Sequence, residues 1–308
     1  REGASALRRL VESQKAGRVT ELLQRLLNVA GQATTTWIAS LGQQTSRFED
    51  RLDDGTPIQV ALVPDQPAGR LTIDFSGTGP VRPNGFNATE SIVTAAVLYT
   101  LRCVAGGRLP LCDGVLRQID LRIPEGLLSP PRHDDPKRCA AVVAGNVETS
   151  NRVVDVLLGA LGVAAASQGT MNNLLIGDDM FGYYETIAGG AGATPRRRGA
   201  DAVHTHMTNT RITDPEVLES RLPVRLWRFA VRRGSGGRGV YRGGHGVIRE
   251  LEFLRPLTVS MLTSRRTTSA YGMAGGENGK KGQQWITRNG DVSRLPACFT
   301  RCVQAGDR

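Results

Sequence analysis

The chain has 308 residues, 40% of them apolar, which is enough for a hydrophobic core and excludes general disorder. The formal net charge is +10, yet only four of the 39 basic residues are lysines (Lys15, Lys137, Lys280, Lys281). Arginine in this excess grips carboxylates and phosphates through two N–H groups and fits an anionic substrate or an acidic partner. A genome rich in arginine, alanine and glycine codons gives the same balance, and charge alone does not license nucleic-acid binding.

Five cysteines (Cys103, Cys112, Cys139, Cys298, Cys302) make an odd count without zinc-like pairing, which predicts reduced thiols and a cytoplasmic protein. The longest apolar run, 153–166, contains Asp155 and is shorter than the ~20 residues of a membrane span. Arg1 in place of a methionine and the abrupt Ala-Gly-Asp-Arg ending predict a piece of something longer.

Residues 4–53 read as helices. Leu22, Leu23, Leu26 and Leu27 keep helical spacing, as do Trp37, Leu41 and Phe48, with breaks expected at Gly17 and Gly31. After the Asp53-Asp54-Gly55 turn, 58–63 and 71–75 read as a hairpin. A buried helix is expected over 89–104 and an alternating strand over 115–123. A second helix over 150–161 is expected to be capped by Thr149 or Ser150. Strands follow at 181–187 and 202–207. A short helix starts at Asp214-Pro215, and further strands lie at 223–232, 247–254 and 257–262. Irregular alternation with hairpins predicts an α+β fold with mixed sheets, divided into a helical lead segment over 1–55 and an α+β region over 56–308.

The polar residues crowd between Tyr184 and Arg249. His204 and His206 sit two apart on an expected strand, so both imidazoles point to one face and serve either as metal ligands or as acid and base. A metal needs a carboxylate as well, from Glu185, Asp201 or Asp214. The opposing reading makes one histidine a hydrogen-bonded structural residue. Glu185, at a strand end beside the glycine run 189–192, suits orienting water or a substrate amide, and the glycine amides suit an oxyanion. A turn carrying a solvated glutamate is the plainer alternative. Asn209 supplies a donor and an acceptor, and Arg211 a fork for a carboxylate. The turns 145–150 and 168–173 read as capping or turn chemistry. The Arg-Gly sequences 233–239 and 242–246 are too short and too closely bracketed by strands for an RNA-binding box. No phosphate-binding loop is present.

Several stretches together resemble the hydantoinase B/oxoprolinase family: Asp74-Phe-Ser-Gly-Thr-Gly79, Ala144-Gly-Asn-Val-Glu-Thr-Ser150, Gly182-Tyr-Tyr-Glu-Thr-Ile-Ala-Gly-Gly190, His204-Thr-His-Met-Thr-Asn-Thr-Arg211 and Arg242-Gly-Gly244. They keep the family's order along most of the chain, and the wording of 133–150 is most similar to the family's fused eukaryotic branch. The resemblance implies a hydantoinase B-like fold and part of an ATP-dependent amidohydrolase that opens 5-oxo-L-proline to L-glutamate. ATP with Mg would bind a hydantoinase A-like domain or subunit, and this chain would add water and open the ring. Within that frame His204, His206 and Glu185 take catalytic roles, while Asn209 and Arg211 hold substrate. A divalent metal in this half is compatible with the resemblance. The imidazole-bearing strand is then expected to face a cavity beside the glycine turns. A homo-oligomer without nucleic-acid or membrane partners is expected. His245 stands where the family usually carries aspartate. The family's N-terminal acidic and histidine metal motif and its terminal glycine cluster lie outside the match. An N-methylhydantoinase-type subunit, an acetone carboxylase-type subunit and a non-catalytic scaffold for the ATPase half are the alternatives.

Overall fold

The computed structural model describes residues 1–106 and 109–308. It opens with helices α1 (Glu2–Gln14) and α2 (Ala16–Ala39). They break at Lys15, whose φ of 68° is left-handed, whereas Gly17 and Gly31 both lie inside α2. An interior helical glycine costs about 1 kcal/mol. Burial of Ala30, Thr34 and Ile38 along one face of α2 outweighs that cost.

Phe48 is not helical. It lies in β1 (Ser46–Arg51), which pairs antiparallel with β2 (Pro57–Asp65). This hairpin crosses position 55, so the division placed there runs through one sheet. β3 (Arg70–Asp74) completes the expected hairpin with β2. The chain then passes through α3 (Glu90–Val104) and returns as β4 (Ile119–Arg122), parallel to β3, giving the order β1-β2-β3-β4. Only the second half of the alternating stretch 115–123 is strand, because Asp113–Gln118 coils into a 3₁₀ turn packed on α2. α4 (Ser150–Ala160) crosses the sheet beside α3. Ile58, Leu71, Ile73, Val97, Val153 and Leu157 meet there as one buried core. The α4 hydroxyls do not cap it as expected. A π-helical turn, Gly145–Thr149, runs straight into the helix, and Thr149 and Ser150 bond the carbonyls of Phe86 and Asn146 instead.

The second half is strand-rich. β5 (Asn173–Gly177) and β6 (Gly182–Thr186) form a hairpin. α5 (Pro215–Arg221) follows, its first turn held by Asp214 Oδ1, which accepts from Glu216 N at 3.0 Å. β7 (Val224–Val231) and β8 (Val247–Phe253) make a separate ribbon. β9 (Leu257–Leu262) lies between β5 and β12 (Cys298–Val303), and β10 (Trp285–Arg288) with β11 (Asp291–Arg294) forms a small hairpin. The antiparallel sheet β12-β9-β5-β6 and the β7–β8 ribbon share a second core of Leu174, Ile176, Leu251, Phe253 and Val259. The architecture is α+β with mixed sheets. Residues 202–207 are not a strand; only Val203 bridges, to Gly189. Among the described residues no helix is long and apolar enough to cross a membrane.

Candidate functional site

The glycine segments 189–199 and 236–246 lie backbone against backbone. A Cβ on Gly190 would stand 2.1 Å from Gly244 O, and one on Gly244 would stand 1.9 Å from Ala200 O. Neither position accepts a side chain without moving a neighbouring main chain. Gly189 N donates to Val203 O, Ala191 N to Ala200 O and Gly244 N to Ala191 O, so these amides are engaged with one another and do not wait for an oxyanion. Arg242 ties the layers down with a bidentate pair to Asp201, at 2.9 and 3.1 Å. The hydrogen bonds from Arg242 and from His245 N hold the Asp201 carboxyl down to about 2. The Arg-Gly loops are therefore ordered walls.

These walls, β8, β9 and the loop 270–284 enclose a cavity of about 1030 Å³. Nine arginine or lysine residues line it against two glutamates, Glu250 and Glu277. Neither His204 nor His206 is among its lining residues. Without a strand over 202–207, the two-residue spacing does not set both imidazoles on one face.

His206 has another setting. Its φ of 52° is left-handed, a conformation that costs a non-glycine residue about 1 kcal/mol and persists only where its surroundings enforce it. Its Nε2 lies 3.1 Å from Asp155 Oδ1. Asp155 is fully buried on α4. Burial alone would raise its carboxyl, but the hydrogen bond and charge of His206, with Arg265 beside it, hold it down to about 2. Arg265 Nη2 bonds Asp155 Oδ2 at 3.2 Å and Asp50 Oδ2 at 2.7 Å. Arg152, with no exposed surface, bonds the same Asp50 at 2.8 Å. Two carboxylates, two guanidiniums and one imidazole thus join β1, α4, the turn at 206 and the segment after β9. Arg265 is the member of this network that also lines the cavity. His204 is half-buried, its Nδ1 has no partner among the described residues, and burial lowers its pKa.

Glu185 is occupied as well. Its two oxygens receive Arg249 Nε and Nη2 at 2.6 and 3.1 Å, and Tyr183 Oη lies 2.6 Å from Oε2. Burial and the Glu185 charge push the Tyr183 hydroxyl up to about 12. Glu185 therefore positions Arg249, a cavity residue, and has no oxygen free to orient water. Asn209 and Arg211 are exposed and are not among the cavity's lining residues.

Glu148, in the π-helical turn, is fully buried. Its carboxyl receives Thr170 Oγ1 at 2.9 Å, Met171 N at 3.1 Å, Asn173 Nδ2 at 3.2 Å and Ser264 Oγ at 2.8 Å. Burial nevertheless outweighs these bonds and raises it to about 7. Among the described residues no three His, Cys, Asp or Glu side chains form a metal-holding group. The three carboxylates considered as further ligands are committed: Asp201 to Arg242, Glu185 to Arg249 and Asp214 to the α5 cap. Glu185, Asp201 and Asp214 therefore do not join His204 and His206 in a metal-binding set.

Sequence reasoning passed over Asp50, Arg152, Asp155, Arg249 and Arg265. For two of them a signal existed. Arg152 and Asp155 stand three apart inside the apolar run of α4, where charges survive burial only when paired.

Comparison with known proteins covers the whole chain. The hydantoinase B/oxoprolinase family profile matches residues 1–308. The chain is 42% identical to 5-oxoprolinase 1 of Arabidopsis thaliana over 99% of its own length and 25% of that protein's. It is 46% identical to 5-oxoprolinase of Dictyostelium discoideum over 78% of the chain and 19% of that protein. It thus spans about a quarter or less of these curated relatives. Among solved structures, the ATP-dependent caprolactamase from Pseudomonas jessenii superposes with a TM-score of 0.82 at 19% identity, covering 98% of this chain and 56% of that one, a likeness of fold.

Proposed function

The chain belongs to the hydantoinase B/oxoprolinase family, and on that premise we propose that it is the ring-opening part of an ATP-dependent cyclic-amide hydrolase acting on 5-oxo-L-proline. The observation that carries this reading is the 42% identity to a 5-oxoprolinase across 99% of the chain. A lactam resists water because amide resonance shields its carbonyl carbon. ATP with Mg, held by a hydantoinase A-like partner in a cytoplasmic assembly, would supply the activation, a phosphoryl group for the carbonyl oxygen.

The residues of this chain then serve hydrolysis. Water adds to the activated carbon, the C–N bond breaks as the ring nitrogen takes up a proton, and a second water cleaves the resulting acyl phosphate to carboxylate and phosphate. We assign these proton transfers to His206, which stands behind Arg265 and outside the cavity's lining residues. Its Nε2 is tied to Asp155 Oδ1 at 3.1 Å, which leaves Nδ1 as the ring atom that exchanges protons with water. Asp155 fixes the tautomer, and Arg265 couples the pair to the cavity wall. The enforced left-handed backbone at His206 supports a functional role for this turn. His204 is a second acid–base candidate, and the exposed Asn209 and Arg211 are assigned to hold substrate in the full assembly.

The reading is tested by assembling the chain with its ATPase partner and supplying ATP with 5-oxoproline, a hydantoin or caprolactam in turn. Glutamate formed from 5-oxoproline is expected. Replacing His206 with alanine should slow ring opening at least ~100-fold. Wild-type turnover in a correctly folded His206→Ala protein removes His206 from the mechanism.

A further inference from the structure

Arg266 is unlike the other shielded arginines. Arg152, Arg249 and Arg265 each lie against a carboxylate, but among the described residues the Arg266 guanidinium has none within 4.0 Å, and Asp53 Oδ2 accepts only from its main-chain N–H, at 2.7 Å. Its guanidinium is held by three neutral acceptors: Gln284 Oε1 on Nε at 3.1 Å, Ser264 O on Nη1 at 2.5 Å, and Asn172 Oδ1 on Nη2 at 3.0 Å. Each acceptor is itself pinned. Gln284 Nε2 donates to Ala297 O, Asn172 Nδ2 donates to Ile187 O, and Ser264 N donates to Thr170 Oγ1. Gly282 packs against the group so closely that a Cβ there would stand 2.5 Å from Nη1. Three of the five N–H donors are used, which leaves one on each terminal nitrogen. Desolvation makes a shielded guanidinium without a counter-charge costly.

Arg266 lines the cavity, and so do Arg228, Arg232, Arg238, Lys280 and Arg301, none of which has a carboxylate within 4.0 Å among the described residues. We propose that Arg266 anchors an oxyanion-binding subsite in this cavity, taking a carboxylate or phosphoryl group through its two remaining N–H donors while the surrounding basic residues complete the field. The subsite rests on the ring-opening reading only for the anion's identity, since 5-oxoproline brings a carboxylate and its activated form a phosphoryl group.

The test is equilibrium binding by calorimetry to the complete assembly without ATP, so that no turnover is needed. Glutarate and inorganic phosphate are titrated separately. One of the two is expected to bind, more weakly as salt rises. R266Q should weaken that anion at least ~10-fold, and R266K should recover part of the loss because it keeps the charge without the fork. G282A retains the guanidinium but crowds Nη1, so it keeps the test alive if R266Q fails to fold, and it should also weaken binding. R221Q, on exposed α5, should bind as wild type. Absence of binding by wild type, or wild-type affinity in folded R266Q or G282A, overturns the subsite. Ring opening that proceeds normally while anion binding is lost would likewise remove Arg266 from the reaction, without touching the assignment of His206.

Discussion

Around the β1–β4 sheet, order comes from side chains. Ile58, Leu71, Ile73 and Val97 are almost wholly buried, and α2, α3 and α4 close over them. Around the cavity, order comes from main chain against main chain and from charges against charges. Gly190, Gly199 and Gly244 stack where no Cβ fits, and Arg242, Arg249 and Arg265 are each fixed by a carboxylate. A packed apolar core tolerates small volume changes by local repacking. A stack of backbones cannot shed a methyl group's volume, and a desolvated ion pair cannot lose one partner cheaply. The first region can therefore vary within hydrophobic limits, while the second fixes both residue type and position, as a binding wall demands.

Substitutions can break this contrast. Gly244→Ala sets a Cβ against Ala200 O and is expected to cost more than about 4 kcal/mol in urea unfolding, or to prevent folding. An ordinary melting curve would mean that the layers separate easily. Arg152→Met removes one of the two donors to Gly169 O and leaves Arg265 as the one guanidinium on Asp50; a loss of about 3 kcal/mol is expected from the same measurement. Glu148 sharpens the comparison through pH. Its folded pKa is raised, so its contribution is fully present below the unfolded carboxyl value of about 4.3 and is lost as pH rises towards about 7. Glu148→Gln should flatten the fall in stability between pH 5 and 8 and make the protein about 1–2 kcal/mol more stable than wild type at pH 8. An unchanged pH profile would show that Glu148 stays ionised throughout. The smallest effect belongs to the first core, where Ile58→Val should cost about 1 kcal/mol.

The legible parts of the sequence were those governed by local rules. The β2–β3 hairpin follows from alternation around Pro64 and Gly69, α3 from an apolar helical run, and α5 from Asp214 before Pro215. Long-range forces decided the rest. Gly31 reads as a break, yet tertiary burial keeps α2 intact. The stretch 202–207 alternates like a strand, yet Asp155 captures His206 in a left-handed turn. Of the polar residues of 184–249, Arg249 lines the cavity with Glu185 behind it, and His206 stands behind Asp155 and Arg265. Nothing local announces which member of an ion pair faces outward. The glycine run signals close approach, but its partners are other glycine loops dozens of residues away.

The ring-opening assignment is tested most directly by the ratio of ADP formed to ring opened in the assembled His206→Ala protein. ATP hydrolysis should continue while glutamate formation falls at least ~100-fold, so the ratio should rise by about that factor. A ratio equal to wild type, with both activities lost together or both retained, would contradict the assignment of His206 to the step after activation.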